Sequence, residues 1–110
     1  MRIGEFVFED GVLRGRLDLR SYRLAAIKKA AYRLADRFTL ALGAVTEDAV
    51  AVTLSTKASL SPDSARELTQ LLMQELLDQE LREQVAEETK PVRTLILAQA
   101  FSKTDLIGDE

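Results

Sequence analysis

Between residues 62 and 88 almost nothing in the chain resists a helix, and the apolar side chains recur in steps of four. Leu68, Leu72 and Leu76 form one series, and Met73, Leu77, Leu81 and Val85 form another. At helical pitch the two series lie side by side on one broad face. Such a face has to be covered by another layer, so the rest of the chain must supply one. Ser61-Pro62-Asp63 opens this helix with a cap, a first-turn proline and a first-turn acid. Its end is expected near Thr89, because Pro91 disfavours helical geometry at Lys90 and has no amide hydrogen. Thr89 or Lys90 then starts a second helix with Pro91 in its first turn and Val92, Leu95, Ile96 and Phe101 as its apolar face. A helical hairpin is the expectation. Asp78 and Arg82 stand four apart with the acid first, a pair worth about 0.2–0.5 kcal/mol on a helix. Glu80, Glu83 and Glu87 share another face that calls for solvent, a basic surface or a partner.

Upstream the periods change. Residues 3–8 read as a strand or, alternatively, residues 1–8 as an N-terminal arm. Asp10-Gly11 is a hairpin turn signal, since both residues tolerate positive φ. Residues 12–17 form the next strand, weakened by Gly15, with Arg14 and Arg16 alternating outward. Ser21 is positioned to cap a first helix running to about Asp36. Leu24, Ile27, Ala31 and Leu34 face its core side, and Ala30 allows a close approach. Lys29, Arg33 and Arg37 form a basic row on the other side. Residues 38–45 and 50–54 alternate as strands on either side of the polar turn Thr46-Glu47-Asp48. On the second of these strands the outward residues are small or polar, so one sheet face is open to water or covered by something else. The order is β-β-α-β-β-α-α. The fold class is α+β: a small, mainly antiparallel sheet of about three to four strands with helices packed on one face. If the strands flanking the first helix are neighbours, they run parallel with a right-handed crossover. A single domain over residues 1–104 with a polar tail at 105–110 is expected.

The chain has no cysteine and no histidine. That removes disulfides, thiol catalysis, iron–sulfur ligation, ordinary zinc sites and the usual general base near neutral pH. Gly11, Gly15 and Gly43 make no phosphate loop. Glu83, Glu87 and Glu88 lie along a helix rather than in a shaped loop of convergent oxygens, so a solvated face explains them better than a metal. No catalytic residue, cofactor or metal is expected, and the chain does not read as an enzyme. No signal peptide is visible, and no run approaches the roughly 20 apolar residues that a membrane helix needs, so a cytoplasmic protein is the expectation.

The formal net charge of −3 is unevenly spread. Residues 1–57 carry ten basic and seven acidic side chains, residues 58–110 five and eleven. Attraction within the fold accounts for this, and so does a dipolar molecule that docks on a charged partner. Lys28, Lys29, Arg33 and Arg37, with Tyr22 and Tyr32 nearby, raise nucleic acid. The overall negative charge and the lack of a recognition helix or stacking sheet argue against it. A sheet edge next to small residues is also a place where a peptide strand can add.

One stretch resembles a known family. Asp78-Gln79-Glu80-Leu81-Arg82-Glu83, then Glu88-Thr89, then Pro91-Val92-Arg93, then Leu95-Ile96-Leu97-Ala98-Gln99-Ala100-Phe101-Ser102, is similar to the C-terminal signature of the HxsD family of the His-Xaa-Ser system. Ala25-Ala26-Ile27-Lys28-Lys29-Ala30-Ala31-Tyr32-Arg33 resembles the first helix of that family. The resemblance covers residues 12–102. It implies a bacterial setting beside a protein with His-Xaa-Ser repeats and two radical S-adenosylmethionine (radical SAM) proteins, in what looks like a peptide-modification cassette. Without Cys or His, this chain would be its accessory part, a scaffold or a substrate-presenting adaptor that contacts the radical SAM proteins, the repeat protein or both. Asp78, Arg82, Glu88 and Arg93 match charged positions of the signature. Together with Lys29 and Arg33 they are the candidate partner-binding residues, against the plainer role of fastening a helical hairpin. A homodimer through the apolar hairpin, with no peptide-modification role, is the alternative.

Overall fold

A computed structural model describes the backbone of residues 1–107 and the side chains of residues 1–90. The chain runs β1 (Arg2–Ile3), β2 (Phe6–Glu9), β3 (Val12–Asp18), α1 (Leu24–Arg33), β4 (Thr39–Val45), β5 (Ala49–Ser55) and α2 (Pro62–Ile107). By packing it divides into two units, Met1–Glu80 and Leu81–Glu110.

The sheet has five strands rather than three or four, in the order β1-β2-β3-β5-β4. The extra strand arises because the expected N-terminal strand is broken at Gly4, whose φ of 59° reverses the chain and pairs Arg2–Ile3 with Phe6 and Val7. Asp10 and Gly11 both take positive φ and make the next hairpin, as their sequence predicts. All four strand pairings are antiparallel. β3 and β4 flank α1 in sequence yet are not neighbours, because β5 lies between them. The crossover is therefore a split β-α-β, not an adjacent parallel pair.

Gly15 has a definite task. It faces Phe6 across the β2–β3 pair, and a Cβ there would sit 2.9 Å from the Phe6 ring and from the Glu5 carbonyl oxygen. The missing side chain makes room for a ring that is only 1% exposed. Phe6, Leu13, Leu17, Leu40, Val50, Val52 and Leu54 form the inner sheet face, and α1 and the first half of α2 cover it with Ile27, Ala30, Leu72 and Leu76. Buried Ala26 and Ala30 let α1 lie close to its neighbours.

Both helices depart from the sequence reading. α1 begins at Leu24 and ends at Arg33, shorter at both ends, and its N-cap position is Arg23, not Ser21. α2 continues through Thr89-Lys90-Pro91 to Ile107, so there is one long helix in place of a hairpin, and it takes up the start of the expected tail. The Thr89 hydroxyl donates backwards to the Val85 carbonyl at 2.9 Å and reaches that of Ala86 at 3.3 Å. Used this way it cannot cap a new helix. A single proline costs a helix about 3 kcal/mol, which strong helix formers on both sides can outweigh. The side chains of Val92, Leu95, Ile96 and Phe101 and the last three residues of the tail fall outside the described residues.

Candidate functional site

Within the first unit, two ion contacts fasten α1 to α2. At the start of α1 the Glu80 carboxylate accepts the Arg23 backbone amide at 2.9 Å, and its second oxygen takes the Arg23 guanidinium from Nε and Nη2, both at 3.2 Å. A carboxylate 57 residues away thus does the capping that Ser21 was expected to do. Its negative charge also suits the positive end of the α1 dipole. Glu80 is only 7% exposed, which corrects its expected place on an open acidic face with Glu83 and Glu87. At the end of α1, Arg33 Nε lies 3.4 Å from a Glu75 oxygen that also accepts Gln79 Nε2 at 2.7 Å. Partners move backwards along α2 as they advance along α1, so the contacts hold both ends of the short helix.

Between these fastenings the outer side of α1 carries a shallow hollow of about 400 Å³, lined by Lys28, Lys29, Tyr32, Arg33 and Gln79. Tyr32 is 86% exposed, an unusual degree for an aromatic ring with no covering element. The hollow offers three cations, a phenol and one amide on a helix that cannot easily move. It holds no carboxylate, imidazole or thiol. Its chemistry is recognition of carboxylates and peptide groups, with the aromatic ring as anchor.

Of the expected partner-binding residues, the structure brings Lys29 and Arg33 together in this hollow. Asp78 is exposed on α2 and does not line it. Arg82 and Glu88 are exposed in the second unit, and the Arg93 side chain is outside the described residues. Gln79 was missed because the buried stripe of α2 runs through Ala65, Thr69, Leu72, Leu76 and Gln79 in alternating steps of four and three, with Glu80 beside it. Leu77, Leu81 and Val85, expected inside, are each at least half exposed. The signal that could have found the true stripe is this 3.5-residue period, had polar positions been admitted to it.

A larger cleft of about 600 Å³ opens at the far end of the sheet, walled partly by Asp36, Arg37, Lys57 and Glu67. The four charges balance in sign. Among the described residues no group of His, Cys, Asp or Glu is arranged to hold a metal ion, and no helix is long and apolar enough to cross a membrane. The carboxyl of Asp18 is shifted. The Arg20 amide and then the Arg20 side chain hold Asp18 below its ordinary value of 3.8.

The sequence has no match among curated proteins, and the structure has none among solved structures. The family model of His-Xaa-Ser system protein HxsD matches residues 17–107. That span takes in α1 with its basic face, both ion contacts to α2 and the C-terminal signature, and the chain belongs to the HxsD family.

Proposed function

We propose that this protein is a non-catalytic accessory protein of a His-Xaa-Ser peptide-modification system and acts by protein–protein contact in the bacterial cytoplasm. It either scaffolds a radical SAM protein of the system or presents the His-Xaa-Ser repeat protein to it. Family membership names the system. The observation that carries the mode of action is the clamped basic face of α1 with its bare tyrosine, a surface suited to gripping a partner. The absence of Cys and His supports the division of labour, since cluster ligation and the repeat substrate must then belong to other chains. Pairwise co-purification of the tagged protein with each radical SAM protein and with the repeat protein tests it. Retention of an enzyme supports the scaffold, and retention of the repeat protein alone supports the adaptor. Failure to retain any of them would remove the proposal.

A second reading has its own observation. Leu77 in the first unit, and Leu81 and Val85 in the second, expose at least half of their surface. Unpaired leucines of that kind are what a homodimer would bury. Sedimentation that finds only monomer across the working concentration range would exclude self-association.

A further inference from the structure

The sheet face turned away from the helices has an unusual composition. On β4 and β5 it presents Ala41, Gly43, Ala49, Ala51 and Thr53, and on β3 Val12, Arg14, Arg16 and Asp18, the last already held by Arg20. Open antiparallel faces normally carry polar or β-branched side chains. Alanine and glycine are poor strand formers, give nothing to solvent, and in a strand mark the close approach of another backbone. Gly43 is not required by its own fold: its φ is ordinary, and a Cβ would meet Ala51 at an unstrained 3.5 Å. The small residues form a shelf beside the two arginines, since Arg14 pairs with Thr53 and Arg16 with Ala51.

Arg14 and Arg16 are both exposed, and among the described residues neither has a carboxylate partner. Four other arginines of the same unit do: Arg20 with Asp18, Arg23 with Glu80, Arg33 with Glu75 and Arg66 with Asp63. Two residues apart on one strand, the two guanidinium groups project from the same face about 7 Å apart. That matches two acidic side chains at alternate positions of an extended segment, each able to take a two-pronged hydrogen bond. The face carries no aromatic ring on which a base would stack, and the chain is net negative, so it does not suit a nucleic acid.

We infer that the open sheet face is a second docking surface, for an extended acidic segment of a partner protein. The segment lies against the alanine and glycine shelf with its carboxylates on Arg14 and Arg16. This surface is built from the strands, and the basic hollow belongs to α1. A chain with both would hold two partners at once.

The test is binding of a short fluorescent peptide of alternating glutamate and alanine to the full chain, with amide chemical shifts mapped alongside. The peptide should bind and shift the amides of Ala41, Gly43, Ala51 and Thr53. The Arg14→Glu, Arg16→Glu double variant should weaken it by about tenfold or more. Ala51→Tyr, which fills the shelf without changing charge and suits a strand, should weaken it similarly. The inference is overturned if the peptide does not bind, if the shifts fall on Lys28, Lys29 and Arg33 instead, or if either variant binds like the parent. An oligouridylate that binds this face as tightly as the peptide would assign it to nucleic acid and also overturn it. Shifts on Lys28, Lys29 and Arg33 would place the peptide on the α1 hollow; the other outcomes do not bear on that hollow.

Discussion

The two faces of the sheet are made from the same strands by alternate residues, yet they follow opposite rules. Along β5, Val50, Val52 and Leu54 point inward and are at most 2% exposed, while Ala49, Ala51, Thr53 and Ser55 point outward. The inner residues fill volume. The outer ones are small or polar and only partly covered. Size and chemistry at one position therefore say which task a residue serves, stability or contact, and substitutions at neighbouring positions separate the two.

The largest effect belongs to the covered face. Leu54→Ala should cost about 2–5 kcal/mol in urea unfolding, because it empties a fully buried site in a strand paired on both sides. Thr53→Ala, one residue earlier, should stay within about 0.5 kcal/mol. Equal losses at the two positions would break the comparison. Next comes the helix clamp. Glu80→Ala strips the α1 amide and the Arg23 guanidinium of their acceptor and should cost about 2–3 kcal/mol in the same measurement.

A glycine on each face makes the contrast sharper. Gly15→Val drives a side chain into Phe6 and the Glu5 carbonyl, and should lower stability by about 1–3 kcal/mol. Gly43→Ala meets only ordinary contacts and should be neutral or slightly stabilising, by up to about 0.5 kcal/mol. Thermal unfolding of the two variants side by side checks this.

The smallest effect is one of pH. The Asp18 carboxyl is depressed by the Arg20 amide and side chain, so the folded state binds its proton less readily than the unfolded chain. Its stabilising contribution is present above the ordinary carboxylate value of 3.8 and is lost as pH falls below it. Urea midpoints of the parent and Asp18→Asn should differ slightly near neutrality and converge in acid. A difference that grows on acidification would reverse the assignment.

Much of this was legible in the sequence because it depended on local rules. Alternation located β3, β4 and β5, Asp10-Gly11 announced its turn, Arg14 and Arg16 alternated outward, and Ser61-Pro62-Asp63 opened α2. Non-local partners hid the rest. Nothing near Ser21 says that α1 will be capped by Glu80, and nothing near Glu80 says that it will be buried. The leucines of α2 suggest one phase for the helix, but its inner stripe admits Thr69, Gln79 and Glu80 because Arg23, Glu75 and the Ala65 carbonyl satisfy them. The Thr-Lys-Pro break was misleading for a local reason, the backward hydrogen bond of Thr89. The basic face of α1 was readable, but that Tyr32 stands bare in its midst depends on what packs around it.

The proposed contact surface on α1 includes two residues, Lys28 and Tyr32, that take no part in fastening the helix. Lys28→Glu combined with Tyr32→Ala tests this most directly, since Tyr32 is almost fully exposed and neither residue belongs to the ion contacts that hold α1. Co-purification of this variant with whichever component the parent retains, beside its urea midpoint, is the measurement to make. The account predicts an unchanged midpoint and loss of the partner. A variant that keeps its partner as firmly as the parent would contradict it.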